Sequence, residues 1–84
     1  MKTIKLSEYQ TYMGILIDIR NPLTYKEKHI DGSTNIPYDK LLLHYKEYLD
    51  KNKSYYIMCS SGIKSKKAVR ILEYYGYDVT QVET

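Results

Sequence analysis

Eleven residues constrain this chain most: Tyr55-Tyr56-Ile57-Met58-Cys59-Ser60-Ser61-Gly62-Ile63-Lys64-Ser65. They read as a strand, a short polar loop and the start of a helix, with the only cysteine where the strand ends. Backbone N–H groups of the turn and of the following helix can converge on a sulfur placed there. The helix N-terminus adds a partial positive charge. Both effects favour thiolate over thiol, so the position suits a nucleophile. A small buried hydrophobe is the common state of a free cysteine. The glycine-containing polar loop and the basic residues after it favour the reactive reading here.

The rest of the chain alternates strands and helices. Residues 2–5 fit a short edge strand, and Ser7-Glu8-Tyr9-Gln10 has the form of a capping box, which predicts a first helix over about 8–12. Ile15-Leu16-Ile17-Asp18-Ile19 is too short and too β-branched for a helix and reads as a strand buried on both faces. Asn21-Pro22 supplies an N-cap and a first-turn proline for a helix over about 22–28. A very short strand fits Ser33 to Ile36, before Pro37. Asp39 is then the expected N-cap for a helix whose apolar face carries Leu42, Tyr45 and Leu49, with Leu41 and Tyr48 beside them. Ala68, Ile71, Leu72 and Tyr75 mark the buried stripe of the helix after the cysteine, and Gly76 ends it. Val79 to Val82 is the last strand.

This alternation predicts an α/β fold of three layers, a small and mainly parallel twisted sheet with helices on both faces, in one domain over residues 1–84. Working sites of such sheets lie at the carboxyl ends of the strands. Cys59 is at one such end; Asp18 and Arg20 are at another.

Composition excludes several classes. One cysteine forms no internal disulfide and no Cys-Cys zinc site, and two histidines fifteen positions apart do not make one, so no metal or cofactor is expected. The net charge of +3 suits a small anionic substrate; with no nucleic-acid motif present, nucleic acid is not expected as a partner. No apolar run reaches the length of a membrane span and the first residues lack the apolar core of a signal peptide, so the expectation is a cytoplasmic protein without a membrane partner. Eleven tyrosines and no Phe or Trp mean that tyrosine must supply aromatic bulk to the core.

Three pieces together resemble a known family. Leu16-Ile17-Asp18-Ile19-Arg20-Asn21-Pro22 with Tyr25 and His29-Ile30-Asp31-Gly32-Ser33-Thr34-Asn35-Ile36-Pro37 is similar to the N-terminal signature of rhodanese-like domains. Cys59 to Ser65 resembles that family's active-site loop, and Tyr75-Gly76-Tyr77-Asp78-Val79 its last helix end and strand. The chain departs from the pattern in three places. Lys28 stands where a glycine is frequent, Lys64 where many members carry arginine, and the sequence given stops where members commonly continue into a final helix.

The resemblance implies sulfur transfer. Cys59 would take a sulfane sulfur from a small anionic donor such as thiosulfate, hold it as a persulfide and pass it to a thiophilic acceptor. Ser60, Ser61, Gly62, Ile63, Lys64 and Ser65 would bind the substrate through loop amides, two hydroxyls and the Lys64 charge. Asp18 and Arg20 are expected to pin the loops structurally, His29 to be a turn residue and His44 to be solvated. In this superfamily sulfurtransferases have six residues from the cysteine to the cationic residue, and the related phosphatases and arsenate reductases one more; Cys59 through Lys64 counts six. The alternative within the resemblance is a binding or regulatory module without turnover, or a carrier that moves sulfur between persulfide and thiol proteins.

Overall fold

The structure is a computed structural model that describes residues 1–84. Five strands form one sheet: β1 (Lys2–Lys5), β2 (Ile15–Asp18), β3 (Thr34–Asn35), β4 (Ser54–Met58) and β5 (Asp78–Glu83). Their order is β1-β5-β4-β2-β3, and every neighbouring pair is parallel. A parallel sheet needs crossovers. Four helices occupy them: α1 (Pro22–Glu27), α2 (Tyr38–Leu43), α3 (Tyr45–Tyr48) and α4 (Ile63–Tyr74). The longest, α4, has twelve residues, and no helix is long and apolar enough to cross a membrane.

The two faces of the sheet are covered unequally. On one, Ile17, Ile57 and Val79 pack with Leu41, Leu49, Ala68, Val69, Leu72 and Tyr77 in the main core. On the other, Leu16, Met58 and Val82 are closed over by Ile4, Leu6, Tyr9, Ile30 and Tyr56, drawn from β1, β4, a 3-10 turn and connecting segments. Helix α1 adds no buried residue to either face.

Local rules hold at the start of α1 and at the end of α4. Asn21 Oδ1 accepts from the Thr24 N–H at 2.9 Å, capping α1 ahead of Pro22. At the end of α4, Gly76 has φ +94°. Its N–H donates to the Glu73 carbonyl and that of Tyr77 to the Leu72 carbonyl, a Schellman closure that folds Tyr77 back into the core.

Three sequence expectations are corrected. No helix spans 8–12; two 3-10 turns, Leu6–Glu8 and Thr11–Met13, stand there instead. The reciprocal side-chain contact forms two residues earlier, from the Lys5 N–H to Glu8 Oε1. Tyr9 is extended, because its ring packs on Tyr56 and its hydroxyl donates to the Gly14 carbonyl at 2.6 Å. The helix expected from Asp39 is two helices, with the break at His44 and Pro37, not Asp39, at the N-cap. In one continuous helix Leu41 and Leu49 would sit about 80° apart; broken, the segment buries both. On α4 the buried stripe is Ser65, Ala68, Val69 and Leu72, while Ile71 and Tyr75 stay partly in solvent. The stripe is rotated because Ser65 is drawn inward by the cysteine loop.

Candidate active site

Register places the site. Asp18 lies opposite Met58 in the β2–β4 pairing, and the Ile19 N–H donates to the Met58 carbonyl at 3.0 Å. The chain after β2 and the chain after β4 therefore leave the sheet side by side, which brings Arg20 and Cys59 to the same depressions.

Cys59 is 5% exposed. Its Sγ accepts from the Gly62 N–H at 3.2 Å and from the Ser65 N–H at 3.3 Å. Two N–H groups directed at one sulfur stabilise negative charge there. The loop can turn this tightly because Gly62 sits at φ +84°, ψ −12°, left-handed backbone that a side chain resists. Gly62 is also the N-cap of α4, so Ser65 belongs to its first turn, where N–H groups lack helical acceptors. The N–H groups of Ser60, Ser61 and Lys64 likewise have no protein acceptor. Ser61 Oγ accepts only a long 3.4 Å bond from the Ile63 N–H.

Two shallow depressions meet at Cys59. One of about 390 Å³ is lined by Ile19, Arg20, Asn21, Thr24, Ser60, Ser61, Ile63 and Lys64 with the cysteine. The other, about 270 Å³, is lined by Arg20, Lys28, His29, Ile30, Met58, Ser60 and Thr84 with it. Lys64 is exposed, its Nζ 5.4 Å from the centre of the Tyr38 ring. Ser65 is fully buried, and its Oγ donates to the Gly62 carbonyl at 3.2 Å.

Asp18 and Arg20 form an ion pair at the rim. Arg20 Nε reaches Asp18 Oδ2 at 2.9 Å and Nη2 reaches the same oxygen at 2.7 Å. Nη2 also donates to the Lys28 carbonyl at 2.8 Å. The hydrogen bonds that the Arg20 guanidinium donates to the Asp18 carboxylate raise it above its ordinary range, so its charge is permanent. His29 Nδ1 donates to the Tyr25 carbonyl at 2.7 Å while its ring stacks on Tyr25, which leaves Nε2 as the free nitrogen. No group of three or more His, Cys, Asp or Glu side chains comes together in the fold.

Among known proteins, the family described as the rhodanese-like domain matches residues 3–83. The chain belongs to that family. This rhodanese-like domain is 38% identical over 72 residues to the thiosulfate sulfurtransferase PspE of Escherichia coli (strain K12), an alignment that takes in 80% of the chain and 64% of PspE. It is 32% identical over 69 residues to a tRNA uridine(34) hydroxylase of Buchnera aphidicola, taking in 76% of the chain and 22% of that protein. The chain thus spans less than two thirds of the length of either curated relative. The crystal structure of a rhodanese-related protein from Thermoplasma volcanium superposes with a TM-score of 0.87 at 28% identity, covering 99% of this chain and 84% of that one.

One residue that bears on the loop of this rhodanese-like domain escaped the sequence reading. Gln81 on β5 is buried, and its Nε2 donates to the Gly62 carbonyl at 3.0 Å and to Ser65 Oγ at 3.2 Å. A glutamine between the buried valines Val79 and Val82 of the closing strand was the available signal, since buried amides require partners. Asn35 was missed in the same way: its Nδ2 donates to the carbonyls of Asp18 and Arg20, fixing the backbone after β2.

Proposed function

We propose that this domain moves sulfane sulfur through a persulfide on Cys59. The observation that carries the reading is the pair of N–H donors, from Gly62 and Ser65, aimed at Cys59 Sγ. With thiosulfate as donor, the Cys59 thiolate attacks the outer sulfur and forms a new S–S bond. The donor's S–S bond breaks, and sulfite leaves with the electron pair. Three negative charges enter and three remain, one on the persulfide and two on sulfite. The N–H groups of Ser60, Ser61 and Lys64 are available to the outer sulfur, and Lys64 and Arg20 supply positive charge for the anionic donor. An acceptor thiolate then attacks the outer sulfur, and Cys59 leaves as thiolate. The donor is either a small anion such as thiosulfate or a persulfide protein; the acceptor is a small or protein thiol.

The test is direct. Incubation with thiosulfate adds one sulfur atom to the intact mass, a reductant removes it, and Cys59→Ser gains none. If neither thiosulfate nor a protein persulfide donor adds sulfur, the reading is wrong.

A further inference from the structure

The charge of this chain is concentrated on one element. Of 13 basic and 10 acidic residues, α4 holds Lys64, Lys66, Lys67 and Arg70 against Glu73, a net +3 (4 − 1). The remaining chain carries nine of each and is neutral (13 − 4 = 9, 10 − 1 = 9). All four basic side chains are exposed, and none pairs with a carboxylate. Glu73 lies a turn beyond them, beside the Met1 amino group at 3.9 Å.

Helical spacing puts Ile63, Lys66, Lys67 and Arg70 on the outward stripe, opposite buried Ser65, Ala68, Val69 and Leu72. Ile63 is 62% exposed and borders the cysteine depression. Arg70 lies about 9 Å farther along the helix than Lys64. A ligand the size of thiosulfate at Cys59 needs only Lys64; it does not span to Lys67 and Arg70. The stripe matches something larger.

We propose that the outward face of α4, from Ile63 to Arg70, docks an acidic protein surface that presents a thiol or persulfide to Cys59. This rests on the sulfur-transfer reading for its chemistry but not for its binding surface. Charge complementarity selects the sign of the partner. Ile63 gives the contact an apolar centre beside the sulfur, as protein interfaces have. Single-stranded nucleic acid is disfavoured because its binding sites stack bases on aromatic rings, and the stripe from Ile63 to Arg70 carries none.

Two labelled peptides provide the test: one with a cysteine flanked by glutamates, the other with glutamines in their place. First, versions with Ser for the peptide cysteine are titrated onto the unloaded protein by fluorescence anisotropy. The acidic peptide is expected to bind about tenfold tighter at low salt, with the preference lost at high salt and in Lys66→Gln/Lys67→Gln/Arg70→Gln. Second, the thiol peptides are offered to protein loaded with sulfur by thiosulfate. Transfer to the acidic peptide is expected to be about tenfold faster in the parent and equal for both peptides in the triple variant, whose loading is unchanged. Equal binding of both peptides to the parent, a preference that survives the triple variant, or tighter binding of a single-stranded RNA oligonucleotide overturns the proposal. Failure of both thiosulfate and a protein persulfide donor to load the protein, with the anisotropy preference intact, counts instead against the sulfur-transfer reading.

Discussion

Gln81 holds Ser65: its Nε2 donates to Ser65 Oγ at 3.2 Å and, with the same nitrogen, to the Gly62 carbonyl at 3.0 Å. Gly62 and Ser65 are the residues whose N–H groups point at Cys59 Sγ. The last strand of the sheet thus braces the loop from beneath, and the geometry at sulfur depends on a side chain twenty-two positions away in sequence.

Gln81→Leu is expected to slow loading of Cys59 by thiosulfate about tenfold, the equivalent of roughly 1.4 kcal/mol of lost positioning. Stability should fall by about 1–2 kcal/mol, because Ser65 Oγ keeps its bond to the Gly62 carbonyl and only the glutamine's own bonds are lost. Single-turnover loading followed by intact mass, alongside urea unfolding, measures both. Unchanged loading with lowered stability would reduce Gln81 to a packing residue.

Arg20→Met strands the Asp18 carboxylate, whose side chain is 1% exposed. Breaking one partner of such a pair costs about 3–5 kcal/mol, and the lower end is expected because Arg20 itself is partly in solvent. In a domain of this size that is a large share of the total. Adding Asp18→Asn should recover part of the loss by removing the unpaired charge. Urea midpoints of the two variants and the parent settle the order; a single variant as stable as the parent would contradict it.

The sheet, its order of elements and the neighbourhood of Cys59 and Arg20 were legible from local signals: β-branched runs, Asn21-Pro22, and a cysteine followed by a polar glycine loop. What stayed hidden depended on distant contacts. Tyr9 abandons a good capping pattern because Tyr56 and the Gly14 carbonyl lie within reach. The break at His44 reflects the demand that Leu41 and Leu49 enter one core. Ser65 was expected to offer its hydroxyl to the substrate, yet it is buried with its N–H on Cys59 Sγ and its hydroxyl on the Gly62 carbonyl, which turns the whole α4 stripe. Gln81 and Asn35 act on residues far from them in sequence, and no periodicity announces such a bond.

Lys64→Ala is expected to raise the KM for thiosulfate several-fold and change kcat by less than about twofold, because a full positive charge beside the depression attracts the dianion before chemistry begins. Lys64→Arg should keep most of the affinity. The effect is expected to shrink as ionic strength rises, since the side chain is exposed and screened. Steady-state kinetics at two salt concentrations test this. An unchanged KM at low salt would make Lys64 only a solvated side chain resting near Tyr38.

The edge strand carries a pH-dependent contact. Lys2 of β1 hydrogen-bonds to Asp78 at the start of β5, and Ser54 Oγ donates to the same carboxylate at 2.5 Å. These bonds, Lys2 first, hold the Asp78 carboxyl below its ordinary value of 3.8. A depressed folded-state value means that the contribution is complete above the unfolded value and is lost as pH falls through the folded one. The Tm difference between the parent and Asp78→Asn should therefore be constant near neutrality, shrink below about pH 4 and vanish once the carboxyl is protonated in both states. Both side chains of the pair are about half exposed, so the difference is expected to be about 2 °C or less and to weaken in salt. Thermal melts from neutral pH to about pH 3 check the sign; a gap that widened on acidification would refute it.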